Sequence, residues 1–414
     1  MKFIFRLALR NLSRHRKRTI LACIGIGFGV AMFIWFDGML RWADTESQLN
    51  LKVYEYGNFS VSTKIFKEDR DNFPLDSVLE KEQTLRIFQI AEKSGCVVAP
   101  RTSFKSMLSH NRGFGLPYVV TAIDPELDAR VFGIKNYISQ GSYLGPKSEG
   151  ILIGSNCARE LGVKIGDFIT IETRTRYNTY QAIDLEVVGI FNCPDPVVNR
   201  KQVFITSFLA DTALQTEGTS TEIIFRTASG KNEPALAAVR NELDKSGLNE
   251  LTISTWQELG ADYITFSKTK KGGSSVVLFL VFIIVTVGII NTMLMAVFER
   301  VREIGMMRAL GMRDRSIIWA FVIESAGIGL LGGLMGLLLG AALVAQGVYI
   351  GIDFTKYMGD MDIGYRVPAV WKCVWNPDSM FIALVFAILC SALISILPAR
   401  KAVKMGISDS IRHI

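Results

Sequence analysis

Four stretches of the chain are almost wholly apolar: Thr19–Leu40, Ser274–Phe298, Ser316–Ala345 and Met380–Leu397. An α-helix needs roughly 20 such residues to cross a hydrocarbon core of about 30 Å, so residues 19–40, 274–298, 316–345 and 380–397 are predicted to be spanning helices. The second run holds no charge, the third holds one, Glu324, and the fourth stops at Pro398. The first follows basic residues, as a secretory signal would. Its apolar run continues through Met32, Phe33, Ile34, Trp35 and Phe36 without a small-residue cleavage site, which predicts a retained helix.

The long segment between the first two runs, residues 41–273, has a different rhythm. Strand-like runs occupy Asn58–Lys64, Cys96–Met107, Leu116–Ile123, Phe168–Glu172, Leu185–Phe191, Gln202–Ile205 and Glu222–Arg226. Helical spacing occurs at Leu75–Ser94, Asn156–Leu161, Ser207–Leu214 and Pro234–Ser246. Strand, helix and strand alternate at both ends, while the middle, about Gly115–Ala213, is richer in strands and turns. The pattern predicts an α/β subdomain interrupted by a β-rich insertion. Trp256–Lys271 has helical character and leads into the second span as a stalk.

Charge orients these pieces. Met1–Arg18 carries seven Lys/Arg and no acid, Glu299–Arg315 five against three acids, and Pro398–Ile414 four against one. The connection Gln346–Ser379 carries three basic and four acidic residues. Short basic loops stay in the cytoplasm, which puts both termini inside a multi-pass inner-membrane protein. The expected order is a cytoplasmic N-terminus (1–18), the first span, an extracytoplasmic domain (41–273), the second span, a cytoplasmic segment (299–315), the third span, a short outer loop (346–379), the fourth span and a cytoplasmic tail (398–414). The fold class expected is an α-helical membrane protein with four transmembrane helices plus a large extracytoplasmic mixed α/β domain. An apolar fraction of 49% over 414 residues fits that split. A net charge of +7 would suit nucleic acid, but the basic residues flank spans, so no nucleic-acid partner is expected.

Catalytic signatures are absent from the sequence. Three His include no HExxH pair, no GxSxG elbow occurs, and Gly230–Lys231 is followed by Asn232 rather than the Ser or Thr of a phosphate loop. No catalytic residue, no metal ligand and no directly bound cofactor is expected. Of six Cys, Cys23 and Cys390 fall in spans, while Cys96, Cys157, Cys193 and Cys373 face outward. A Cys96–Cys193 or Cys157–Cys193 bridge and free buried thiols are equally compatible with their spacing.

Gly327-x-Gly329-x-x-Gly332 reads letter for letter as a dinucleotide fingerprint, but it lies inside the third span with no preceding strand. Together with Gly333 and Gly336 it instead gives small residues at the spacing that lets helices approach closely in lipid. Gly25 and Gly29 offer the same spacing in the first span. Glu324 is costly inside a span and is expected to snorkel, to pair with Arg308 or Arg315, or to face the bundle interior. The segment Glu299–Asp314, ERVREIGMMRALGMRD, has two apolar faces: Val301, Ile304 and Met307 on one, Met306 and Leu310 on the other. Two such faces need two covers, one from the membrane region and one from a cytoplasmic partner.

At these residues a resemblance emerges. REIGMMRALGMRDRSIIWAFVIES at Arg302–Ser325 resembles the hallmark of the FtsX-like (MacB-type) permeases of ABC transporters, and LPARKAVKMGISDSIR at Leu397–Arg412 resembles their C-terminal signature. That family usually has a Pro where this chain has Ile407 and Ser408. RLALRNLSRHRKRTILACIGIGFGVAM at the start is also similar. SEGILIGSNCARELGVKIGDFITI at Ser148–Ile171, followed by LEVVGIF, is similar to the lipoprotein-releasing (LolC/LolE-like) branch. The resemblance implies a permease dimer, from a second copy or a sister chain, bound to a cytoplasmic ABC ATPase dimer that holds the ATP and Mg. It places ATPase coupling on Val301, Arg302, Glu303, Ile304, Gly305, Met307, Arg308, Ala309, Leu310 and Gly311. It further implies lipoprotein cargo handed to a periplasmic carrier. The hairpin that would reach such a carrier, Thr173–Ile183, is short.

Overall fold

The computed structural model describes residues 16–110, 115–227, 232–248, 250–269, 283, 301–354 and 366–403. The chain divides into two compact units: Met1–Ala43, Ser267–Phe354 and Val370–Ile414 form one, and Asp44–Phe266 with Thr355–Ala369 form the other.

The first unit is mainly helical, with one short antiparallel pair, Ile352–Asp353 against Val370–Trp371. Helix α1 spans Arg16–Asn50, well past the predicted end at Leu40. No Gly or Pro interrupts Arg41–Tyr56, so the backbone stays helical after the apolar run ends, and Leu51–Tyr56 widens into a π-helical turn. Gly57 stops it at φ +65, where an added Cβ would sit 2.9 Å from Phe225 O; only glycine meets both demands. Three described helices are long and apolar enough to cross a membrane: Thr19–Tyr56, Asp314–Tyr349 and Pro377–Lys401. The predicted second span, Ser274–Phe298, lies outside the described residues apart from Ile283, as do residues 1–15 and 404–414 of the predicted cytoplasmic ends.

The last helix continues through Pro398 to Val403, where the sequence predicted a stop. Proline removes a single helical hydrogen bond. The residues beyond it recover apolar packing, because Ala399 and Val403 are buried against Ile317 and Phe321.

The second unit is built on a ten-stranded sheet. Its strands are β1 (Phe59–Thr63), β2 (Cys96–Ser109), β3 (Leu116–Ile123), β4 (Ile138–Gly141), β5 (Ile151–Gly154), β6 (Phe168–Arg174), β7 (Tyr180–Phe191), β8 (Gln202–Thr206), β9 (Glu222–Thr227) and β10 (Leu251–Thr255). The order β10-β1-β9-β2-β3-β8-β5-β7-β4 branches at β6, which pairs both β7 and the far end of β2. The six strands β2, β3, β8, β5, β7 and β6 therefore close on themselves, and Phe104, Val120, Ile153, Ile169, Val187 and Ile205 fill a common core.

The remaining half is the α/β subdomain, made of chain from before and after that insertion. Its two longer helices run over Lys81–Lys93 and Asn232–Lys245. Ile87, Ile90 and Ala91 of one and Val239 and Leu243 of the other pack on Phe59, Val61, Val98, Ile223 and Phe225. The first of these helices starts later than the predicted Leu75. Leu79 is drawn into an extended bridge with Ser220, and Glu80 with Gln83 makes a capping box.

Candidate functional site

The first candidate begins with a short helix, Val301–Ala309. Gly311, at φ +86, lets the chain reverse direction before the long helix Asp314–Tyr349. The turn is pinned by Met312 N donating to Met307 O at 3.0 Å and Gly311 N to Arg308 O at 2.9 Å. Arg308 Nε pairs with Asp314 Oδ1 at 3.2 Å.

The two expected faces part company here. Met307 packs on the cluster of Ile317, Phe321, Ala399 and Val403, and Gly305 is buried. Met306 and Leu310 stay 48% and 88% exposed, and Ala309 and Gly311 are exposed beside them. The side chains of Val301, Arg302, Glu303 and Ile304 lie outside the described residues. This short helix thus presents an uncovered apolar surface, and fully burying a Leu or Met contributes about 1.5–3 kcal/mol.

Behind it, the long helix Asp314–Tyr349 makes two glycine seams. A Cβ on Gly336 would lie 2.5 Å from Gly27 O, and one on Gly332 would lie 2.9 Å from Ile26 Cβ, so this face packs on α1. Cβ atoms on Gly329 and Gly333 would lie 2.7 Å from Ala387 O and 2.8 Å from Leu384 Cδ1, so the adjacent face packs on Pro377–Val403. Gly25, expected at a seam, has no described heavy atom within 4 Å of an added Cβ; Gly27 makes the close approach instead. Gly29 is buried. Glu324 is buried on the stripe formed with Ile317, Phe321, Ser325 and Ile328.

Near the start of the last helix, Asp37 Oδ2 accepts from Arg41 Nε (2.8 Å), Asn376 Nδ2 (2.8 Å) and Ser379 Oγ (2.7 Å). Arg41 Nη1 also reaches Asp378 Oδ2 at 2.8 Å. This polar knot ties α1 to the last helix. Its only sequence trace is the i,i+4 spacing of Asp37 and Arg41.

In the α/β unit the π turn after α1 gathers three arginines. Arg70 is bidentate on Glu222 at 3.0 and 3.1 Å and lies over the Tyr56 ring at 5.7 Å. Arg101 bonds Asp128 at 2.8 Å, with both side chains almost fully buried, and its Nη1 reaches Glu55 O at 3.5 Å. Arg366, from the connection between the helices Asp314–Tyr349 and Pro377–Val403, donates Nη1 to Glu55 and, at 3.1 Å, to Asp195 Oδ2. Burial pushes Asp195 up to about 6, with Glu55 adding to the rise and Arg366 opposing it. Sequence reasoning missed this centre, because a lone Arg in a loop carries no periodic signal.

All six cysteines are free. Burial pushes the thiols of Cys157 and Cys193 up to about 12. Among the described residues no group of three or more His, Cys, Asp or Glu is placed to hold a metal ion.

Comparison with known families matches residues 19–242 to the MacB-like periplasmic core domain and residues 275–407 to the FtsX-like permease C-terminal region. The chain is 26% identical to the macrolide export ATP-binding/permease protein MacB of Burkholderia thailandensis, over 98% of this chain and 59% of that protein. It is 32% identical to the ABC transporter permease YtrF of Bacillus subtilis, over 58% of this chain and 54% of that protein. The chain thus spans somewhat more than half the length of each. Among solved structures, the periplasmic region of MacB from Actinobacillus actinomycetemcomitans aligns over 52% of this chain and 97% of that one, at 10% identity and a TM-score of 0.37.

Proposed function

From the premise that this chain belongs to the FtsX-like permeases with a MacB-like periplasmic core domain, we propose that it is the membrane subunit of an ABC transporter, driven by a separate cytoplasmic ATPase dimer that holds ATP and Mg. In this reading it sits in the inner membrane as a multi-pass protein, with both termini in the cytoplasm and the α/β unit outside. It pairs with a second copy or a sister permease. ATP hydrolysis does mechanical work on the outer domain rather than opening a path through the bilayer.

The observation that carries the reading is the division of the short cytoplasmic helix. Its Met307 side is already covered by Ile317, Phe321, Ala399 and Val403, while Met306 and Leu310 remain exposed on the other side. A nine-residue helix with a bare Met, followed at once by a bare Leu in the turn, is the form expected of a segment that docks into a groove of a partner. Leu310→Asp leaves the folded chain nearly untouched, since surface changes cost about 0.5 kcal/mol or less. It is expected to remove the nucleotide-hydrolysing activity that co-purifies with the tagged chain from membranes. Undiminished co-purification would overturn the assignment.

For cargo, the leading reading is release of lipoproteins from the inner membrane to a periplasmic carrier. It is supported by the Ser148–Ile171 resemblance, which the fold lays along β5, the helix Ser155–Leu161 and the start of β6. The alternatives are export of small molecules or peptides, favoured by the 98% coverage of this chain in its match to MacB, and regulation of a cell-wall hydrolase. Depletion followed by fractionation of acylated proteins separates them. Retention of lipoproteins in the inner membrane supports the first, and unchanged sorting removes it.

A further inference from the structure

The outer loop contributes to the α/β unit through residues 355–369, of which 366–369 are described. Arg366 is its anchor. Its backbone N–H donates to Ser47 Oγ at 2.9 Å and its carbonyl accepts from Asn50 Nδ2 at 2.6 Å, both on the last turns of α1. Its Nη1 then donates to Glu55 of the π turn and, at 3.1 Å, to Asp195 Oδ2. Asp195 caps the helix Pro196–Lys201 by accepting from Val197 N at 2.9 Å. One guanidinium nitrogen therefore bridges carboxylates from two different elements.

The bridge is buried: the three side chains are 12%, 19% and 0% exposed for Arg366, Glu55 and Asp195. Among the described residues, the two other arginines at the π turn are already paired with carboxylates of their own, Arg70 with Glu222 and Arg101 with Asp128. A buried ion cluster is a poor way to gain stability, because removing one partner leaves an uncompensated charge away from water. Packing alone would be served as well by an apolar side chain of similar length. Beside the bridge lies a cavity of about 280 Å³, lined among others by Tyr56, Lys201, Gln202, Asp262 and Arg366 itself. The guanidinium thus borders open space as well as its two carboxylates. π-helical turns often mark functional positions in helices.

We propose that Arg366 is a charge latch: seated, it holds the π turn of α1 against the helix Pro196–Lys201, and withdrawn, it leaves Glu55 and Asp195 buried without their shared cation, so that the joint between the two elements loosens. The segment that carries it leaves the long helix unit at Phe354 and rejoins it at Val370, so the latch is joined to those helices along the chain and would report on their state. That last step rests on the permease reading above; the latch itself does not.

Hydrogen exchange of the full-length protein in lipid nanodiscs, read by mass spectrometry, tests it. Arg366→Met keeps the bulk and removes the charge. It is expected to speed exchange about tenfold or more in peptides covering 51–56 and 195–201, as befits a buried ion pair that has lost one partner, while β2 and β3 peptides stay unchanged. Adding Asp195→Asn removes one of the two opposed carboxylates and is expected to restore most of the protection. Unchanged exchange in Arg366→Met overturns the latch. So does an Arg366→Met/Asp195→Asn protein as loose as the single variant, including the case in which the single variant loosens everywhere. No ATPase is present in this measurement, so its failure is distinguishable from failure of the permease reading, which the Leu310→Asp co-purification reports.

Discussion

The glycine seam between α1 and the helix Asp314–Tyr349 can be tested with a single methyl group. In most helices Gly→Ala is stabilising by about 1 kcal/mol, because Gly is the costlier residue to order. At Gly336 the new carbon would lie 2.5 Å from Gly27 O and 2.7 Å from Val30 Cβ. Carbon atoms prefer separations of about 3.5–4.0 Å, so the two backbones must move apart by on the order of 1 Å. The same movement loosens Gly332 from Ile26 and Gly340 from Ile34, which share the seam. Overpacking of this kind costs about 1–3 kcal/mol. Gly25 is the matched control: it lies in the same class of helix and has no described heavy atom within 4 Å of its added Cβ. The propensity gain is common to both variants, so their difference isolates the packing term. Denaturant titration of the purified protein in mixed micelles is expected to rank Gly25→Ala above Gly336→Ala by about 1–3 kcal/mol. A Gly336→Ala protein at least as stable as Gly25→Ala would refute the seam.

Two further outcomes follow from the α/β unit. Asp195 sits at about 6 instead of its ordinary 3.8; a raised folded pKa means its stabilising contribution is complete below the ordinary value and is lost as pH rises through about 6. Asn caps a helix as well as Asp does, so the melting temperature of the wild type relative to Asp195→Asn is expected to rise as pH falls from 7.5 to about 5, by an amount equivalent to roughly 1.4 kcal/mol over that range; a flat or opposite trend sinks the assignment. Six free thiols are expected to titrate after denaturation without reductant, while in the native protein at pH 8 maleimide spares Cys157 and Cys193, whose thiols burial holds near 12; fewer titratable thiols would show that a bridge exists.

The elements that were legible from sequence are those whose signal is local. Leu116–Ile123 and Ser207–Leu214 fold over the predicted residues, the first from its run of β-branched and aromatic residues, the second from its helical spacing, which in the structure starts at a Thr206 cap. Missed elements share a physical cause. The strand Ile151–Gly154 is four apolar residues buried on both faces, too short to alternate. The strand Leu251–Thr255 sits at the sheet edge, paired only to β1. Closure of the six strands depends on Met107 meeting Glu172 across 65 positions of chain, and no local periodicity encodes a partner that distant. The continuation of α1 beyond Leu40 was hidden for the opposite reason: its polar residues ended the apolar run without ending the helix.

The candidate sites divide along the same line. The two faces of Val301–Ala309 follow from a rotation of about 100° per residue, so sequence position alone separates Met307 from Met306 and Leu310. The seam could be named but not aimed. Gly25, Gly27 and Gly29 all offer a bare backbone, and among the described contacts it is Gly27 that meets the helix Asp314–Tyr349. The Arg366 bridge lay beyond reach altogether, since Glu55, Asp195 and Arg366 are far apart in the chain and each looks like an ordinary surface charge. Their burial is what gives them meaning. Apolar side chains of similar volume would often hold such a joint as firmly or more so, so a requirement for tight packing does not explain three charges there. A joint that must open does: withdrawing Arg366 strips two buried carboxylates of their shared cation at once, whereas withdrawing one apolar side chain only leaves a gap.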